Sequence, residues 1–223
     1  MKRALFLACI LLSVVPILLC AQNLGPWKAA YGEWRLQADG RLYQLGTKPG
    51  MAQASMALPQ SGVMQYEFDV KYVDGFQDGY GAFGVHIGID NPAPRKSWGN
   101  GRSFLLWLTF DPRAYGGSGV YAQVYQSRNH SQMELMHPAK AYMIPPELLA
   151  GIDLSRLPDY RLPVKIRVDY STGEVKVWDP TVANYYYRFS LGGPITGGRY
   201  VVVRTSSLAA SFGNFKVTPL DRF

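Results

Sequence analysis

Apolar and polar side chains alternate along most of this chain. Met64, Tyr66, Phe68, Val70 and Tyr72 share one parity, and Gln65, Glu67, Asp69 and Lys71 the other. A half-buried strand requires that period, because successive side chains leave opposite faces. The same reading predicts a hairpin from Trp34–Gln37 and Arg41–Leu45 around Ala38-Asp39-Gly40, then a strand over Met51–Leu58. Phe83, Val85, Ile87 and Ile89 alternate with Ala82, Gly84, His86, Gly88 and Asp90. After the loop Asn91–Arg102, Phe104, Leu106, Leu108 and Phe110 oppose Leu105, Trp107, Thr109 and Asp111. Val120, Ala122 and Val124 oppose Tyr121, Gln123 and Tyr125. Further strands are predicted at Val164–Val168, Glu174–Trp178, Asn184–Leu191, Tyr200–Thr205 and Ala209–Val217. Only Pro145–Leu157 has a weak helical or turn-like pattern. Many short strands at roughly ten-residue spacing predict an all-β, antiparallel β-sandwich of the jelly-roll kind.

Composition agrees. The 223 residues are 48% hydrophobic and only 17% charged, which excludes a disordered chain. Met1-Lys2-Arg3 is a basic start, Ala4–Leu19 is almost wholly apolar, and Cys20-Ala21-Gln22 follows. That order reads as a secretory signal peptide over 1–21, cleaved after Ala21, with one domain over 22–223. The expected destination is the periplasm or the exterior. The rival is a lipoprotein acylated at Cys20, the one route to a membrane, although Leu19 stands where a lipobox wants a small residue. An uncleaved anchor comes third. Both cysteines, Cys9 and Cys20, fall inside this segment, so the mature chain has no thiol nucleophile, disulfide or cysteine metal site. Losing Lys2 and Arg3 takes the formal charge from +7 to +5, and the other cations are scattered, which argues against nucleic acid as a partner.

Candidate chemistry lies on the polar parity of the middle strands. Gln65, Glu67, Asp69 and Lys71, then Gly84, His86 and Gly88, then Trp107 and Thr109, then Gln123 between Tyr121 and Tyr125 would form one surface if their strands are neighbours. Flat aromatic faces, amide, carboxylate and imidazole groups, and glycines that leave room, together suit sugar rings. The plainer alternative is a sheet face that is polar because it meets water. Asp74 and Asp78, in a glycine-rich turn, are weak calcium candidates. Acidic turn residues are commoner for turn geometry alone, and no cofactor is expected. His86, His130 and His137 share no metal-binding spacing. No Gly-x-Ser-x-Gly elbow occurs.

The closing stretches Gly198-Arg199-Tyr200-Val201-Val202-Val203-Arg204-Thr205 and Ala209-Ala210-Ser211-Phe212-Gly213-Asn214-Phe215-Lys216-Val217 resemble the end of concanavalin A-like (laminin G-like) jelly rolls. Gly32-Glu33-Trp34 with Asp39-Gly40-Arg41-Leu42 resembles their start, including the keto-disaccharide hydrolase-like group, and Tyr66–Tyr72 their long core strand. The resemblance spans most of the mature chain and implies the fold more than the function, since this fold hosts lectins, hydrolases, lyases and adhesion modules. Laminarinase-like members carry Glu-x-Asp-x-(x)-Glu, the first Glu a nucleophile and the last the acid/base. Here Glu67-Phe68-Asp69-Val70 is followed by Lys71 and Tyr72 where the last Glu belongs. Glu67 and Asp69 would lie about 6.5–7 Å apart along a strand, so paired-carboxylate chemistry is conceivable, but the family's acid/base is missing. Many such domains end in Phe-Asp-Asn-Phe, whose Asp helps hold calcium; Gly213 replaces it.

The expectation is an exported, non-catalytic, carbohydrate- or glycan-binding protein using one concave face with Gln65, Glu67, Asp69, His86, Trp107, Gln123 and Tyr125. One alternative is a glycoside hydrolase or lyase with Glu67, Asp69 and His86 as its chemistry. The other is an envelope or appendage component whose aromatic face docks onto a protein.

Overall fold

The computed structural model describes residues 25–75, 80–111, 119–136, 141–144, 160–180 and 182–223. The expected signal segment, Asp78, His137 and the stretch 145–157 lie outside them. All regular structure among the described residues is β.

Fifteen strands follow in chain order: β1 (Trp27–Tyr31), β2 (Trp34–Leu36), β3 (Leu42–Gln44), β4 (Ala52–Ala57), β5 (Val63–Asp74), β6 (Gly81–Ile89), β7 (Ser103–Asp111) and β8 (Gly119–Ser127). Then come β9 (Met133–Leu135), β10 (Ala141–Met143), β11 (Arg161–Asp169), β12 (Glu174–Trp178), β13 (Tyr186–Ser190), β14 (Tyr200–Ser206) and β15 (Ala209–Leu220). One sheet has the order β1-β4-β14-β6-β7-β8-β10, with β9 also on β8; the other runs β13-β12-β11-β5-β15-β3-β2. All pairings are antiparallel. We call them the front and back sheets. β1, β9 and β10 are strands that alternation did not predict; the last two are only three residues long, too short to show a period.

The core lies between the sheets and uses the parity expected. Val85, Ile87, Leu106, Val124, Val201 and Val203 from the front sheet meet Tyr66, Phe68, Val70, Ile166, Val168 and Phe212 from the back. Burying each such side chain contributes about 1.5–3 kcal/mol. At one end Tyr66 and Tyr170 both donate to Gln60 Oε1, at 2.6 and 2.8 Å. Their burial raises both phenols above the ordinary tyrosine value.

One expectation fails on topology. β5 is not beside β6. It belongs to the back sheet between β11 and β15, whereas β6, β7 and β8 adjoin one another in the front sheet. A twelve-residue strand followed by a turn can either hairpin within a sheet or cross to the opposite one, and local alternation is the same in both cases.

Candidate functional site

The split separates the residues grouped by sequence. His86, Trp107, Gln123 and Tyr125 share the outer surface of the front sheet: Gly84 pairs with Trp107 and Trp107 with Gln123, while His86 pairs with Leu105 and Leu105 with Tyr125. Gln65, Glu67 and Asp69 point out of the back sheet, because Tyr66, Phe68 and Val70 point in. The single surface expected from sequence is therefore two surfaces on opposite sides of the sandwich.

The two acids are also engaged. Asp69 is buried, ion-paired with the Arg41 guanidinium and accepting from Asn214 Nδ2 at 2.6 Å. Arg41 also donates through Nε to Ser211 Oγ at 2.9 Å and through Nη2 to the Ser211 carbonyl. A Cβ on Gly213 would strike this guanidinium. The position where the concanavalin A-like domains that the sequence resembles carry a calcium-binding Asp is thus packed against a positive charge. Glu67 faces Lys165, 4.0 Å away. Asp74 Oδ1 caps the Gly75 amide at 2.8 Å. No group of three or more metal-ligating side chains occurs among the described residues.

The outer front surface is not the open polar face expected. Residues 91–102 cross it as a strap. Arg204, fully buried on β14, donates to the carbonyls of Ser97 and Trp98. Gln53 on β4 donates to the Arg95 carbonyl at 2.7 Å. Asn100 Oδ1 accepts from Ala93 N at 2.7 Å and the Asn100 backbone N–H donates to Ser127 Oγ at 2.7 Å. His130 fixes the strap's end, its Nδ1 accepting from Gly101 N at 3.0 Å.

His86 lies beneath the strap with no exposed surface. Arg204 Nη1 stands 2.9 Å from its Nε2, and a guanidinium only donates, so Nε2 is the acceptor. The proton then sits on Nδ1, which donates to Ser103 Oγ at 3.0 Å, and that hydroxyl donates to the Asn100 carbonyl at 3.1 Å. Burial, and secondarily the Arg204 charge, hold the imidazole well below its ordinary value. Burial alone brings Arg204 down to about 9, so it remains charged at neutral pH. His86 is a neutral relay in a structural network, sealed from any solution ligand.

The glycine at position 84 leaves room for a side chain of this same protein. A Cβ there would meet the Leu106 carbonyl and lie 2.7 Å from Trp107 Cε3. The indole lies over Gly84 and joins Ala82, Leu105 and Met133 in a second apolar cluster outside the main core.

Beside the strap this cluster leaves a small hollow of about 60 Å³. Leu105 and Trp107 form its floor, Thr109 and Gln123 its polar side, and Tyr125 and Trp98 its wall. Trp98, on the strap, is 47% exposed. Its ring meets Tyr125 edge-on at 6.1 Å, and its Nε1 donates to the Met133 carbonyl at 3.1 Å. A larger cleft of about 300 Å³ opens at the end of the sandwich over Phe104 and Ile195. Its rim arginines, Arg102 and Arg128, are ion-paired with Asp90 and Glu134, and its aromatic ring, Phe104, is buried. Of the two, the hollow is the one with an exposed flat ring beside hydrogen-bonding groups.

Sequence reasoning placed Trp107, Gln123 and Tyr125 on this surface, and treated Asn91–Arg102, which contains Trp98, only as a loop. It missed Arg204 and Gln53, which hold the loop down. A usable signal was Arg204 itself, a cation on the outward parity of an otherwise apolar strand.

An antiparallel, lectin-like jelly-roll β-sandwich is the class these features define. Solved structures share that fold at low sequence identity. A carbohydrate binding module, CBM66 from Bacillus subtilis, has a TM-score of 0.56 and 14% identity, covering 89% of this chain and 98% of that one. The carbohydrate recognition domain of Emp46p in a metal-free form has a TM-score of 0.51 and 12% identity, covering 86% and 87%. A functionally unknown protein from Saccharomyces cerevisiae has a TM-score of 0.51 and 10% identity, covering 87% and 96%. No family profile matches the chain, and no curated protein does.

Proposed function

We propose that this chain is an exported, non-catalytic carbohydrate-binding protein that receives a saccharide at the hollow between the strap and β8. The observation that carries this reading is the set of Trp98, Trp107 and Tyr125 around the amide of Gln123 and the hydroxyl of Thr109. Flat apolar rings match the C–H faces of a sugar, and amide and hydroxyl groups match its hydroxyls. The hollow has room for a few waters, not for a sugar ring. The ring therefore lies across the mouth against Trp98, with one substituent directed toward Gln123. Two neighbours in fold are named for carbohydrate binding or recognition, in keeping with this reading. Export rests on the basic-then-apolar opening of the sequence.

Glycan-array binding followed by titration of the best ligand tests it. Trp98→Ala is expected to weaken that ligand about tenfold or more, as loss of an aromatic anchor does. Its thermal midpoint should stay within a few degrees, because the ring is half exposed. Affinity unchanged in a Trp98→Ala/Gln123→Ala double variant would reject the hollow.

A further inference from the structure

The outer face of the back sheet carries a charge pattern that folding alone does not favour. Arg167 on β11 pairs directly with Lys176 on β12, and Lys176 with Arg188 on β13. All three project outward, since Val168, Val175 and Val177 are the inward neighbours. Three cations thus stand in one line across adjacent strands, about 4.8 Å apart. Like charges directly opposite destabilise a sheet.

Carboxylates neutralise them only in part. Arg167 donates through Nε and Nη2 to Gln65 Oε1, at 3.2 and 2.8 Å, a neutral amide where a carboxylate would relieve the charge. Arg188 has Glu174 at 3.0 Å. Aromatic rings hold the cations in place instead: Arg167 over Trp178 at 5.2 Å, Lys176 over Tyr186 at 5.1 Å and over Phe223 at 4.3 Å, and Arg188 over Phe223 at 5.7 Å. Lys165 extends the row of cations, 4.7 Å above Trp178, with Glu67 4.0 Å from its ammonium. Rings that pin long side chains reduce the ordering cost of binding.

We propose that this face docks an acidic polysaccharide, whose carboxylates or sulfates lie along the line Arg167–Lys176–Arg188. A linear chain of acidic sugars presents anions in a row, the complement of a row of cations. The exposed ring of Tyr186, on the same face as Arg188, offers it a flat, hydroxyl-bearing surface. This site is on the opposite side of the sandwich from the hollow and does not depend on it.

Polygalacturonate binding at low ionic strength is the test, with the full chain and two triple variants. Arg167→Gln/Lys176→Gln/Arg188→Gln removes the line. Lys28→Gln/Arg102→Gln/Arg128→Gln removes the same charge from elements outside the back sheet. The first should bind about a hundredfold more weakly and the second close to wild type. Added salt should weaken wild-type binding steeply. The first variant should also unfold within a few degrees of wild type, because the repulsion it removes offsets the exposed ring contacts and the Glu174 pair it gives up, so its loss of binding is not a loss of fold. Equal weakening in both variants would reduce the effect to net charge and overturn the proposal. So would absence of polygalacturonate binding, or tighter binding to phosphatidylglycerol vesicles or duplex DNA.

Discussion

The two outer faces of this sandwich are built from the same alternating strands and solve opposite problems. The front face is covered. Its buried cation, Arg204, is spent on two strap carbonyls and His86, and its indole, Trp107, on Gly84. The back face is open across β11, β12 and β13, where the cations lie against rings and, at Arg188, a carboxylate. A guanidinium under the strap is therefore part of the architecture, whereas one on the open face can be removed at little cost. Parity along a strand says which residues leave the core. It does not say whether they leave it for water.

The sharpest way to break this contrast is Arg204→Met. It strands the carbonyls of Ser97 and Trp98 and the Nε2 of His86 in a buried site. A loss of about 3–5 kcal/mol is expected in urea unfolding, with faster hydrogen exchange confined to the strap. A loss below about 1 kcal/mol would mean that the strap is held by its other bonds.

Gly84→Ala should come next, at about 1–3 kcal/mol, because the added methyl meets a backbone carbonyl and an indole in a packed cluster. Trp107 must move, so tryptophan emission should shift even where the fold survives. Wild-type stability with unchanged emission would contradict the close approach on the front face.

The smallest effect is a pH dependence. His86 binds its proton far more weakly folded than unfolded. Its neutral form therefore favours folding fully above about pH 6.5, and that stability is lost as pH falls below this value, by at most about 1.4 kcal/mol per pH unit. A His86→Gln variant should flatten this part of the profile. An identical slope in the variant would assign it to other groups.

Much of the fold was legible. The hairpin of β2 and β3, the alternation of β5 to β8 and the two closing strands follow from local periodicity, and the resemblance to concanavalin A-like jelly rolls led to the same architecture. The candidate site was legible in part. Trp107, Gln123 and Tyr125 do share a surface, and His86 is on it too, but under the strap. Glu67 and Asp69 were misgrouped because adjacency in sequence was taken for adjacency in a sheet. Ala82, Leu105 and Val202, apolar on the outward parity, were a sign that something covers that face.

What the sequence determined by itself is most of the longer strands and which side of each is buried in the core, because both follow from a two-residue period carried within a few neighbouring residues. Only the tertiary structure decided which strands share a sheet and which outer face a loop would seal. Those outcomes depend on pairings between residues far apart in the chain, such as Arg204 with the carbonyls of Ser97 and Trp98, and no local pattern encodes them.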